Sequence, residues 1–236
     1  MKGEQTCSRI ERGFATEPLS FPITCDYTFG MEFRNKFVSQ ISRADILDLI
    51  AQQTAEDDYF EFKTELLHPT KKPPKLLEDE KEDLLADLVA FANAAGGLIL
   101  IGISEDAQGR ASGLAPVTGD EAKKLANTVR DLAVAYIRPG IIQLEVVPFQ
   151  MKEDGSEWIV VIRVPDGVDK PYMSKYKDQT WVSFTIRVGN RKRAMAYEEI
   201  QQRFLANPQQ ERMAQIVGEL ESIKSLISDL GVKLGR

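Results

Sequence analysis

Ala90-Phe91-Ala92-Asn93-Ala94-Ala95-Gly96-Gly97-Leu98-Ile99-Leu100-Ile101-Gly102-Ile103 changes character at its centre, and that change decides the fold. Upstream, Leu84, Leu85, Leu88, Val89 and Phe91 form the broad apolar face of a helix over 78–94. Glu78, Asp79, Glu80, Glu82 and Asp83 suit the positive end of its dipole. Ala94-Ala95-Gly96-Gly97 stops the helix, and Leu98 to Ile103 reads as a strand buried on both faces. The glycines end a helix and enter a strand, the reverse of a phosphate-binding loop, and no G-K-[ST] follows. Their expected role is helix capping.

Working outward, Ser42 is an N-cap signal before Ile46, Leu49 and Ile50, which recur at helical spacing. Tyr59-Phe60-Glu61-Phe62-Lys63 alternates as a half-buried strand, with Phe60 and Phe62 on one face and Tyr59, Glu61 and Lys63 on the other. His68 to Lys75 holds three prolines and reads as a loop. A helix over 119–134 follows, then strands near 141–149, 157–164 and 180–188 and a short helix near 196–205. The order predicts an α/β protein of mixed α+β character, a mixed β-sheet flanked by helices, over residues 41–206. Residues 1–40 read as an N-terminal arm. In 207–236, Met213, Leu220, Ile227 and Leu234 share one heptad position and Ile216, Ile223 and Leu230 the other. That pattern suits a C-terminal coiled-coil helix joining copies of the chain through residues 213–234, or a helix docked on its own domain.

The chain has 236 residues, 36 acidic against 30 basic, for a net charge of −6, and its 43% hydrophobic content excludes a disordered chain. No apolar run approaches the roughly 18 residues of a membrane span, and Met1-Lys2-Gly3-Glu4-Gln5 lacks a secretory core, so a soluble, cytoplasmic protein is expected. Cys7 and Cys25 read as free thiols, and with His68 the single histidine, an ordinary zinc site is excluded. Any bound metal must be held by carboxylates, which favours Mg2+ or Mn2+. The acidic total argues against coating nucleic acid by bulk charge.

Three segments together resemble one family. Glu56-Asp57-Asp58-Tyr59-Phe60-Glu61-Phe62-Lys63 is similar to the E-x4-E-F-K signature of the Schlafen AlbA_2 domain. Ala90 to Gly97, running into Leu98–Ile103, is similar to its A-F-A-N-x-x-G-G element, and Ile186-Arg187-Val188-Gly189-Asn190 to its closing R-V-G element. The resemblance covers about residues 43–205. It implies nucleic-acid binding, and some members of the family are metal-dependent endoribonucleases. By position, the implied catalytic and metal-binding carboxylates are Glu56, Glu61 and a third at Glu105, with Asp106 alongside as the other candidate; the alternative is that these are solvated acids of an acidic stretch. Residues five apart cannot converge from one continuous strand, so Glu56 must lie in the turn before it.

From Lys170 to Arg193 the local charge is +6, interleaved with Tyr172, Tyr176 and Trp181. This pattern suits phosphate contact with base stacking, or else a solvated edge-strand pair. Lys63, Arg187, Arg191, Lys192 and Arg193 are the candidate nucleic-acid contacts, with RNA ahead of DNA as the partner. Residues 50–90 carry a local −6, which suggests a charge-polarised molecule. The reading from a different class is a non-catalytic DNA-, RNA- or nucleotide-binding regulatory module that oligomerises through its tail.

Overall fold

The computed structural model describes residues 33, 36–67, 72–177, 179–180, 182–206, 218–220, 222 and 224. Contacts divide the chain into two compact units, 1–35 and 36–236, and the second holds the elements of the fold. After a 3-10 turn at Val38–Gln40 come α1 (Arg43–Ala51), β1 (Phe60–Lys63), α2 (Pro74–Asn93), β2 (Gly97–Ile101), β3 (Ile103–Glu105) and β4 (Ala111–Leu114). Then follow α3 (Gly119–Tyr136), β5 (Ile137–Arg138), β6 (Glu145–Gln150), β7 (Trp158–Val164), β8 (Met173–Ser174), β9 (Thr185–Val188), β10 (Arg191–Ala194) and α4 (Tyr197–Leu205). The main sheet has the order β1-β2-β7-β6. β1 and β2 are parallel, as a helical crossover through α2 requires, and the other pairs are antiparallel. This is the mixed sheet flanked by helices that the sequence predicts.

Strand alternation sets the layers. Ile99 and Ile101 of β2 and Val160 and Ile162 of β7 pack with Leu84, Leu85, Leu88 and Phe91 of α2 and Ala122, Ala126 and Val129 of α3. Leu98 and Leu100 face the other way and register with Phe60 and Phe62 of β1. Glu61 and Lys63 pair in register with Ile99 and Ile101, so their side chains share the α2 face of the sheet. Ser42 caps α1 through a reciprocal capping box with Asp45. α2 begins at Pro74, four residues earlier than the sequence pattern suggests, with proline at its first turn, where its missing N–H costs nothing.

The expected strand 98–103 is two strands. Gly102, at φ +103°, breaks it, and Ile103 starts a separate hairpin with β4. An apolar run gives no sign of such a break because both pieces are buried. At the C-terminus of α2, Gly96 adopts φ +76° and donates its N–H to Phe91 O at 3.0 Å. A Cβ at Gly97 would lie 2.4 Å from the Phe91 ring. The pair therefore caps the helix and admits close packing, as expected.

Asn93, fully buried, locks this corner. Its Nδ2 donates to Tyr172 O and Thr185 O, both at 2.8 Å, and its Oδ1 accepts from Tyr172 N at 2.7 Å. Most heptad positions of the tail, together with Cys7, Cys25 and His68, lie outside the described residues; Leu220 is helical and exposed. No helix among the described residues is long and apolar enough to cross a membrane.

Truncating Asn93 strands three buried backbone partners, each worth about 1–3 kcal/mol when left unmade. Asn93→Ala is therefore expected to lower the unfolding free energy by about 3 kcal/mol or more. Chemical denaturation measures this, and an unchanged midpoint would contradict the lock.

Candidate functional site

The turn before β1 and the β3–β4 hairpin are stitched together through backbone bonds. Glu56 N donates to Gly109 O at 2.8 Å, and Ala111 N to Thr54 O at 2.9 Å. Glu56 thus lies before the strand, as convergence with Glu61 demands, and across from the strand that carries Glu105. An ideal Cβ placed on Gly109 would be 3.7 Å from Glu56 Oε2 and 3.9 Å from Glu105 Oε2. Those two carboxylate oxygens are therefore no farther apart than the sum of these distances. Glu56 Oε1 accepts from Phe62 N at 2.9 Å, which holds the side chain against β1. Glu56, Glu61, Lys63, Glu80, Asp83 and Glu105 share the wall of one cavity of about 320 Å3.

Asp106, the other candidate for third carboxylate, serves the turn instead. Its Oδ1 accepts from the backbone N–H groups of Gln108 and Arg110, and its Oδ2 from Arg110 Nε at 2.8 Å. The third carboxylate of the pocket is Glu105. A larger cavity of about 650 Å3 lies between α2 and α3, walled by Leu66, Leu77, Val117 and Leu125. Its acid Glu121 is taken up by the α3 capping box.

Burial, with the nearby charges of Glu61 and Glu105, pushes the Glu56 carboxyl up to about 7, against the pull of the Phe62 N–H and Arg187. Glu61 is differently placed. Arg187 Nη1 donates to its Oε2 at 2.6 Å, and Lys63 Nζ to its Oε1 at 3.1 Å. Lys63 also lies 3.0 Å from Asp87 Oδ2 and 3.5 Å from Asp83 Oδ2. Burial works against the Lys63 charge, but Asp87 and Glu61 overcome it and raise its pKa.

Arg187 corrects the expectation of a nucleic-acid contact. It is 4% exposed, and its guanidinium donates inward to Asp57 O at 2.8 Å and Phe60 O at 2.9 Å as well as to Glu61. It also lies 4.6 Å over the Phe91 ring. One side chain therefore joins all three family-like segments. Tyr172 and Tyr176 are buried, so they cannot stack on bases, and Trp181 lies outside the described residues.

The basic run is largely neutralised within the molecule. Lys170 pairs with Asp166, Lys177 with Glu78, Lys192 with Asp83 and Asp87, and Arg193 with Glu199. Arg193 pulls the Glu199 carboxyl down to about 2. Lys175 and Arg191 remain exposed, with no side-chain hydrogen bond or ion pair among the described residues. The acidic and basic stretches thus face each other across α2 and β10, and the polarised molecule expected from local charge counts is not what forms. Lys192 still reaches the pocket rim through Asp83.

The donor type, carboxylate oxygen, suits a hard divalent cation. Among the described residues, no three acidic, histidine or cysteine side chains already stand together as a metal-holding group. The pocket holds Glu56 and Glu105 on its wall, with a third carboxylate, Glu61, tied to Arg187 and Lys63.

Two outcomes follow from these contacts. Glu61→Ala leaves the Arg187 charge buried without its partner and is expected to cost about 3–5 kcal/mol, read by denaturant unfolding. Glu56, whose folded pKa exceeds its unfolded value of 4.5, binds more protons folded than unfolded, so its contribution falls as pH rises from about 4.5 to about 7. Glu56→Gln keeps the acceptor for Phe62 N and is expected to melt higher than wild type at pH 8, with the gain vanishing below pH 4.5. Equal melting temperatures at both pH values would contradict the raised Glu56 carboxyl.

Among solved structures, the chain is similar to the DIP2311 protein from Corynebacterium diphtheriae, with 17% identity and a TM-score of 0.43. That similarity covers 70% of this chain and 32% of the other, so this chain spans about a third of that protein's length. No curated protein matches. The family model for Schlafen, AlbA_2 matches residues 56–196, which takes in the carboxylate pocket, the Gly-Gly corner and the buried arginine. The chain belongs to the Schlafen AlbA_2 family.

Proposed function

We propose that this chain binds nucleic acid, RNA ahead of DNA, and hydrolyses its phosphodiester bonds with Mg2+ or Mn2+ bound by Glu56, Glu61 and Glu105. The observation that carries this reading is that Glu56, Glu61 and Glu105 line one cavity, where burial first and the nearby charges of Glu61 and Glu105 second raise Glu56 to about 7. A divalent cation offsets those charges, and when bound it supplies polarisation of a phosphate and activation of water. Membership of the Schlafen AlbA_2 family supports a role with nucleic acid. On the protein side, Lys63 lines the cavity and Lys192 pairs with Asp83 on its wall, both lysines also being held by Asp87. Arg191, exposed and unpaired among the described residues, is left to meet phosphate from outside, and Arg193 flanks it.

A specific observation favours a second reading, a non-catalytic nucleic-acid-binding module that assembles through its tail. Both Glu61 oxygens are already ion-paired, and no metal-holding group is closed among the described residues.

Glu105 separates the two readings cleanly, because it is exposed and no ion pair among the described residues depends on it. With Mn2+, the nuclease reading expects wild-type protein to cleave single-stranded RNA and Glu105→Gln to lose at least about 100-fold in rate while retaining RNA affinity. Salt-dependent RNA binding without cleavage in either protein would establish the module instead. Arg191→Glu is expected to weaken binding to RNA and DNA alike and to flatten the dependence on salt.

A further inference from the structure

α2 carries an ionisable group where its pattern calls for a hydrocarbon. Asp87 lies three residues after Leu84 and four before Phe91, on the buried stripe of the helix, and is 2% exposed. An acid in that position is retained at a desolvation cost that leucine would avoid. It is not part of the cavity wall. Its two oxygens are divided between two ammonium groups: Oδ2 lies 3.0 Å from Lys63 Nζ, and Oδ1 accepts from Lys192 Nζ at 2.7 Å. Lys63 in turn stands between Asp87 and Glu61, 3.1 Å from Glu61 Oε1. The result is an unbroken chain of alternating charge: Arg187, Glu61, Lys63, Asp87, Lys192.

We propose that Asp87 is a positioning residue for Glu61, acting through Lys63. Held from behind by Asp87, the Lys63 ammonium is shared among carboxylates and does not close fully on Glu61. Glu61 Oε2 is committed to Arg187. Glu61 Oε1 is therefore the oxygen left to take a divalent cation, and its availability depends on how firmly Lys63 is held away. Without the Asp87 charge, Lys63 is left with Glu61 and the half-exposed Asp83, and its bond to Glu61 tightens. An incoming cation must then displace a whole ammonium. The inference rests on reading the pocket as a cation site, and its test separates the two claims.

Asp87→Asn keeps the shape and the acceptor oxygen while removing the charge. In full-length protein, Mn2+ affinity by electron paramagnetic resonance is expected to fall at least about tenfold, the scale of losing an outer partner of a metal ligand. Asp87→Glu is expected to restore part of it. In a Lys63→Met background the same Asp87→Asn change is expected to leave affinity unaltered, because the intermediary is gone. An equal loss in both backgrounds would overturn the proposal in favour of a merely structural or through-space effect. In the metal-free protein, the 13C resonance of the Glu61 carboxyl, assigned by its loss in Glu61→Gln, is expected to shift in Asp87→Asn only while Lys63 is present. A folded Asp87→Asn protein with an unmoved Glu61 resonance would also overturn the proposal. If wild type binds no Mn2+ but the resonance shifts as described, positioning stands and the cation reading alone falls.

Discussion

The guanidinium of Arg187, buried beneath α2, is the interaction on which the rest of the structure depends. It ties β9 to the turn before β1 through Asp57 O, to β1 through Phe60 O and Glu61, and to α2 through the Phe91 ring. A buried cation is tolerated only when its charge and its donors are met, and a planar fork meets several acceptors at once where an ammonium would meet them as a point. Phe91 can lie under the guanidinium because Gly97 leaves room at its ring edge. The three segments that mark the family are therefore three sides of one packing problem.

That arrangement also shapes the pocket's chemistry. By holding one oxygen of Glu61, Arg187 fixes a carboxylate near Glu56, which β1 and the β3–β4 hairpin hold in place through backbone bonds. Glu56 takes the electrostatic consequence, because it is the more buried of the two carboxylates, Glu56 and Glu105, that have no ion pair among the described residues. The lysines that could have quenched it are drawn away toward α2 by Asp83 and Asp87. The pocket is consequently acidic at its hairpin side, while at its β10 rim Lys192 is paired with Asp83 and Asp87.

Much of the fold is legible in the sequence because periodicity reports burial: the α2 stripe, the alternation at Phe60 and Phe62, and the glycine stop all form as read. The break at Gly102 is not, since an apolar run looks the same whether its strand continues or turns into a hairpin. The rule that residues five apart cannot share a strand face places Glu56 on the turn and Glu61 on the strand, where both are found. Arg187 defeats a reading by local charge because it lies in a basic stretch, and one-dimensional counting cannot tell a buried arginine from a solvated one. Asp87 does leave a signal, an acid in register with Leu84 and Phe91, but it is easily lost among the acids around it. The mutual neutralisation of the acidic and basic segments needs the third dimension, which sets β10 beside α2.

The central claim is that Arg187 is spent inside the molecule so that carboxylates can converge on a cation. Anomalous diffraction from crystals soaked in MnCl2 tests it most directly. A manganese peak is expected with oxygens of Glu56, Glu61 and Glu105 at about 2.0–2.6 Å, and with Arg187 still bonded to Glu61 Oε2. A pocket with no peak, or an Arg187 side chain turned out to solvent, would contradict it.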